Sequence, residues 1–192
     1  DLDADAVLDL AVSCRGDGAV QVLGGGGSGG WGDATFSGGW SGDAGTSPRG
    51  LAVADVGGDR IPDLLVASAG DGSIGVLVGQ GAGGQGDAAY DPKVVYPAGT
   101  AHGVVHADLD SDAIGDLVGV DHGGTLQVRP GGGTDGVPDG TFGASSSYAT
   151  GAGPARAAIG DLNADTILDA VTADSMDGTL TVLLGDGTDG VG

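Results

Sequence analysis

Residues Asp108–Asp116 read DLDSDAIGD, and the same nine-residue pattern stands at Asp1–Asp9 (DLDADAVLD), Asp55–Asp63 (DVGGDRIPD) and Asp161–Asp169 (DLNADTILD). The starts lie 54, 53 and 53 residues apart, so the chain is an array of one unit. Each copy offers oxygen-bearing side chains at loop positions 1, 3, 5 and 9 and an apolar residue at 7, with Gly57 as the one vacancy at position 3. Carboxylates packed this closely repel one another unless a cation sits among them. A hard divalent ion with six to eight oxygen ligands suits such a set, and calcium tolerates flexible loop geometry better than magnesium. The pattern therefore predicts calcium loops.

Composition points the same way. The chain has 192 residues, 44 of them Gly, and a formal charge of −21. All 27 acidic residues are Asp, whose short side chain reaches a loop cation or its own turn backbone and disfavours helix interiors. The four loops hold 14 of the 27, and four divalent ions would bring the formal charge from −21 to −13. The remaining acidity argues against nucleic acid or an anionic membrane as partner. A halophile-type acidic surface is the competing explanation, but such surfaces normally use Glu too. The lone Cys14 excludes an intrachain disulfide framework and a thiolate zinc cluster, leaving calcium to cross-link the loops. No apolar run reaches membrane-spanning length. Residue 1 already lies inside a repeat motif, which predicts a chain that belongs to a larger protein.

Aligning the copies gives one order of strand and turn. Each loop leads into a short apolar strand (LDLAVSC, PDLLVAS, GDLVGVD, LDAVTAD), then a turn at Gly16–Gly18, Gly70–Gly72, Gly123–Gly124 or Asp177–Gly178. A second strand follows (AVQVL, SIGVLV, TLQVR, TLTVLL), making a hairpin signature. Next comes a Gly-rich excursion ending on Phe36, Tyr90 or Phe142, then a less regular segment. A further strand (GLAVADV, GVVHADL, ARAAIGDL) enters the next loop. Four strands per unit without helical periodicity predict an all-β fold of β-propeller blades, each of four antiparallel strands.

The pattern D-x-[DN]-x-D-x-x-x-D-L, followed by a strand and a segment such as TVLLGDGTDG (Thr181–Gly190), resembles the FG-GAP or VCBS repeat. Phe142–Gly143 and Gly151–Ala152–Gly153–Pro154 resemble the pieces that give that family its name. The resemblance covers the whole chain, as repeats 1–54, 55–107, 108–160 and a partial 161–192. It implies the blade of integrin α-subunit heads and of many secreted or surface proteins, usually seven to a ring. In that family the metal loop joins the first and second strands of a blade. On that assignment the chain carries about 3.5 blades, its strands grouped three, four, four and three, and is part of a larger propeller. Its open edges are then available to a neighbouring segment or a second copy.

The loop geometry resembles the opening of an EF-hand, where positions 1, 3 and 5 give side chains and position 7 a carbonyl. Copy one offers Asp1, Asp3, Asp5 and Asp9 with the Val7 carbonyl; copy three offers Asp108, Asp110, Asp112 and Asp116 with that of Ile114. Copy four offers Asp161, Asn163, Asp165 and Asp169 with that of Ile167. Copy two has only Asp55, Asp59 and Asp63 with the Ile61 carbonyl, and is expected to bind weakest, with water at the place of Gly57. In each, position 9 is expected to close the cage. Position 6, usually Gly in the family because its φ is positive, is here Ala6, Arg60, Ala113 or Thr166. A non-Gly residue there costs on the order of 1 kcal/mol, which should lower affinity, most of all in copies two and four. The competing reading, metal-free Asp-rich turns, has to explain four copies in register.

Other candidates are weaker. Arg15–Gly16–Asp17 spells an adhesive tripeptide, but Gly–Asp or its like recurs in the aligned turns and only the arginine is peculiar. His102 and His106 are four apart in a strand, not on one helix face as a zinc pair would be. Trp31 and Trp40 could stack on a sugar, yet neither recurs in the other units. With no Glu and no Ser–His–Asp arrangement, the segment reads as a non-enzyme. The expected function is a calcium-stabilised, extracellular structural or adhesion module with a protein or glycan ligand. The alternatives are a carbohydrate-binding propeller and the accessory domain of a secreted enzyme.

Overall fold

A computed structural model describes residues 1–188, 190 and 191, so residues 189 and 192 at the end of the fourth repeat lie outside the described residues. Among the described residues every regular element is a strand, and every strand pairing is antiparallel.

The first principal sheet joins β1 (Leu10–Cys14), β2 (Ala19–Ser28) and β3 (Trp31–Asp43). The second has order β4 (Pro48–Ala54), β5 (Asp63–Ser68), β6 (Ser73–Leu77) and, after a separate hairpin of β7 (Gly79–Ala82) and β8 (Gln85–Tyr90), β9 (Val94–Pro97). The third repeats this plan with β10 (Ala101–Ala107), β11 (Asp116–Asp121) and β12 (Thr125–Arg129), the hairpin β13 (Gly131–Thr134) and β14 (Val137–Phe142), and β15 (Ser146–Ala149). The fourth holds β16 (Pro154–Gly160), β17 (Asp169–Asp174) and β18 (Thr179–Leu183), followed by the hairpin β19 (Gly185–Thr188) and β20 (Gly190–Val191).

The Gly-rich excursions are thus β-hairpins rather than irregular connections. Their tips explain why: Gly29–Gly30, Gly83–Gly84 and Asp135–Gly136 each have positive φ at both positions, between 54° and 80°. Two left-handed residues make the tight turn whose twist matches the flanking strands. In the first repeat the hairpin is continuous with the sheet, so β2 and β3 run through it with two register slips.

The core lies between sheets, and strand alternation builds it. In β5 all six residues are buried: Leu64 and Val66 pack toward the first sheet with Val20 and Val22, while Leu65 and Ala67 pack toward the third with Leu117 and Val104. A strand covered on both faces reads as a continuous apolar run. Leu126, Val128, Val118 and Val120 meet Ala170 and Ile159 of the fourth sheet in the same way. The order of packing is therefore sheet against sheet along the chain, with β1, β4, β10 and β16 neighbours in space.

Candidate metal centres

Each Asp loop follows or precedes a strand on the same edge of its sheet, and each is wired by the same hydrogen bonds. The carboxylate at position 1 accepts the amide of position 6: Ala6 to Asp1 at 3.1 Å, Arg60 to Asp55 at 2.8 Å, Ala113 to Asp108 at 3.0 Å and Thr166 to Asp161 at 3.0 Å. The position 5 carboxylate accepts the amide of position 7: Val7 to Asp5, Ile61 to Asp59, Ile114 to Asp112 and Ile167 to Asp165, at 2.7–2.8 Å. At position 3, Asp3, Asp110 and Asn163 accept the amide two residues on. These are Asp and Asn turns onto their own backbone, for which Glu is a methylene too long.

The backbone pays a conformational cost for this winding. Position 6 is left-handed in every copy, with φ of 69° at Ala6, 68° at Arg60, 69° at Ala113 and 74° at Thr166. Position 4 is left-handed too, at Ala4, Gly58, Ser111 and Ala164, which the spacing alone did not reveal. The side chains at position 7 anchor the loop: Val7, Ile61 and Ile114 are buried.

Position 9 has a structural role that the sequence reading missed. One oxygen of Asp9, Asp63, Asp116 and Asp169 accepts the amide of position 2, from Leu2, Val56, Leu109 and Leu162. The other accepts the amide of a hairpin glycine, from Gly25, Gly79, Gly131 and Gly185, at 2.7–2.9 Å. The carboxylate thus clamps the head of the loop to the start of the Gly-rich hairpin, besides its place beside the cage.

The structure brings three carboxylate groups together twice: Asp1, Asp3 and Asp9, and Asp108, Asp110 and Asp112, each set with oxygens within 4.8 Å of one another. Among the described residues no third set of three acids is so close, in keeping with Gly57 and Asn163 in the other copies. Burial, then the neighbouring Asp116, Asp112 and Asp108, pushes the Asp110 carboxyl above its usual range. Asp116 is raised by burial and by Asp108 and Asp112, against the amides of Gly131 and Leu109; Asp63 is raised likewise by burial and by Asp55 and Asp59. At Asp9 burial also acts upward, but the Gly25 and Leu2 amides outweigh it and the carboxyl ends below its usual range. Asp161 lies low because the Thr166 amide and others bond its charged form. An all-oxygen donor set whose members resist sharing negative charge fits a hard divalent cation.

The tryptophans, His102, His106 and the Arg15–Asp17 tripeptide lie outside the Asp loops. Trp40 packs on Tyr90 at 4.8 Å between centroids, beside the first core cluster, whereas Trp31 is 82% exposed at a hairpin. The His102 ring stacks on His122 at 4.0 Å, and that of His106 meets Phe142 edge-on at 6.2 Å. Arg15–Gly16–Asp17 forms the β1–β2 turn, its Asp17 and Gly18 amides donating to the Cys14 carbonyl.

No family model and no curated protein matches this sequence. Solved structures do match its fold. A crystal structure of BBS1N in complex with ARL6DN, soaked with lead, superposes with a TM-score of 0.56 at 15% identity, over 100% of this chain and 50% of that one. Its counterpart soaked with mercury gives 0.55 at 14% identity, over 94% and 50%. The architecture is a β-propeller's. The chain spans about half the length of these neighbours.

Proposed function

We propose that the chain is a calcium-stabilised β-propeller segment of the FG-GAP or VCBS type, a structural or adhesion module of a secreted or surface protein. The observation that carries this reading is the carboxylate set of Asp108, Asp110 and Asp112, at positions 1, 3 and 5, with a second set of Asp1, Asp3 and Asp9, at positions 1, 3 and 9, in the first loop. Both sets lie in loops whose backbone wiring is common to all four copies. Side chains at positions 1, 3 and 5, with the carbonyls of Val7, Ile61, Ile114 and Ile167, would hold the ion, and position 9 would complete the charge. When bound, calcium neutralises the acids and cross-links the loop. The ions are structural in this reading, and the segment is given no catalytic step.

For the ligand at the propeller surface, a protein is favoured over a glycan. The solved neighbours are in complex with another protein, and of the two tryptophans only Trp31 is free to stack on a sugar. The second loop is expected to bind weakest, having lost one oxygen at Gly57.

Thermal unfolding with and without a chelator tests the metal reading. EDTA should lower the melting temperature by many degrees, and added calcium should restore it where equal magnesium does not. An unchanged melt in EDTA would contradict the proposal.

A further inference from the structure

Basic residues are scarce in this chain, six against 27 acidic ones, yet three of the six meet in one place. Arg15, Arg49 and Arg156 line a pocket of about 560 Å³ together with His102 and Ser13, and no aspartate is among its lining residues. With so many carboxylates available, a surface arginine would be expected to find one. None of these three does: among the described residues the single ion pair is Lys93–Asp43, at 2.9 Å.

The fold assembles this cluster by a repeated irregularity. The register of β4 on β5 slips between Pro48 and Gly50, that of β10 on β11 between Ala101 and Gly103, and that of β16 on β17 between Pro154 and Ala157. Arg49, His102 and Arg156 occupy those slips, and bulges of this kind re-aim side chains. The three strands also touch at the same level. A Cβ on Gly50 would lie 2.9 Å from the Gly103 Cα, and one on Gly103 would lie 3.2 Å from the Ala155 carbonyl oxygen. Arg156 is fixed across two strands, its Nη1 donating to the carbonyls of His102 at 2.8 Å and Ala155 at 3.1 Å.

We propose that this pocket binds a multiply charged oxyanion, a ligand carrying sulfate, phosphate or carboxylate groups, on the guanidinium groups of Arg15, Arg49 and Arg156. A guanidinium presents a planar fork of donors to such groups, and charged hydrogen bonds of this kind are the strong ones. The local field agrees: the His102 imidazole is held below its usual value first by burial and then by Arg49, His122 and Arg156, with Asp121 alone opposing. The site is separate from the calcium loops. The seven residues of β4 run from the pocket to Asp55, a span of about 20 Å at the rise of a strand.

Titration of the whole chain in calcium buffer, following its arginine Nε–Hε and histidine resonances, tests the assignment. The probes are sulfate and a tetraglutamate peptide, with free calcium held constant through the titration because both bind it weakly. Saturable shifts confined to Arg15, Arg49, Arg156 and His102 are expected, weakening as sodium chloride rises. Arg49→Ala and Arg15→Ala, both at exposed side chains, should each lower affinity severalfold and together by about tenfold or more. Arg156→Lys keeps the charge but loses the fork and should weaken binding, while Arg129→Ala, on β12 and bonded to the Gly143 and Pro97 carbonyls away from this pocket, should leave it unchanged. Tighter binding of sulfate would point to a free inorganic anion, and tighter binding of the peptide to carboxylates of a partner protein. No saturable shift with either probe, or an equal loss in Arg129→Ala, would overturn the proposal.

Discussion

Seven loop residues other than glycine are held in left-handed backbone: Ala4, Ala6, Arg60, Ser111, Ala113, Ala164 and Thr166. Such conformations persist only where the surroundings over-determine them. Here the determinants are the Asp turns on either side and, in the proposed function, a cation. The strain predicts an unusual gain from glycine. A left-handed L-residue costs about 1–2 kcal/mol, and the greater unfolded-state freedom of glycine returns about 0.4–1 kcal/mol of that. Ala113→Gly should therefore stabilise by about 0.5–1 kcal/mol. Thr166→Gly should gain more, because a β-branched residue is the worst tenant of this region. Urea unfolding in calcium measures both, and a loss of stability in either would mean that the loop is wound differently.

Loop and hairpin act as one element, because the position 9 carboxylate bonds both and the glycine it bonds admits no side chain. A Cβ on Gly131 would lie 2.5 Å from the Gly115 carbonyl oxygen and 2.6 Å from Ile114 Cγ2, and Gly25, Gly79 and Gly185 are equally confined. Gly131→Ala is expected to cost about 1–3 kcal/mol as overpacking and to weaken calcium in the third loop by displacing Asp116. Gly38→Ala, where nothing lies within 4 Å, should be close to neutral. Calorimetric titration of the two variants separates the close packing at Gly131 in β13 from a general intolerance of side chains in the Gly-rich strands. Much of this element was legible in the sequence: Asp spacing marked the loops, short apolar runs marked β5, β6 and β11, and apolar alternation marked β12. The hairpins β7–β8 and β13–β14 were not recognised as strands, since Gly-rich strands carry no apolar alternation and only their turn glycines signal them. The clamp was hidden for another reason. A carboxylate bonded to the amide of Gly79, sixteen residues on, leaves no side-chain partner to read. The arginine cluster was hidden likewise, because register slips in three strands, not sequence spacing, bring it together.

Across the whole molecule, burial is uneven in a way that bears on assembly. In the third sheet Leu126 and Val128 are buried against the fourth. The aligned Leu180 and Val182 of the fourth sheet are 71% and 52% exposed, and on the first sheet Leu10 is exposed as well. Apolar side chains thus stand uncovered at both ends of the stack, two on β18 and Leu10 on β1, against a net charge of −21 that works to keep copies apart. Faces that differ from each other can join head to tail, one copy's first sheet covering another's fourth, and such contacts close into a ring or extend. In calcium, which reduces the repulsion, the chain is expected to sediment well above its 18.1 kDa monomer. Leu180→Lys with Val182→Lys should return it to monomer, and at a concentration where the wild type is itself monomeric should leave the melt in calcium unchanged, because in the single chain both side chains face solvent. Appending a further repeat after the fourth sheet should have the same effect by covering the face from within the chain. A wild-type chain that stays monomeric at every concentration, with calcium present, would show that these leucines and valines do not seek a partner sheet.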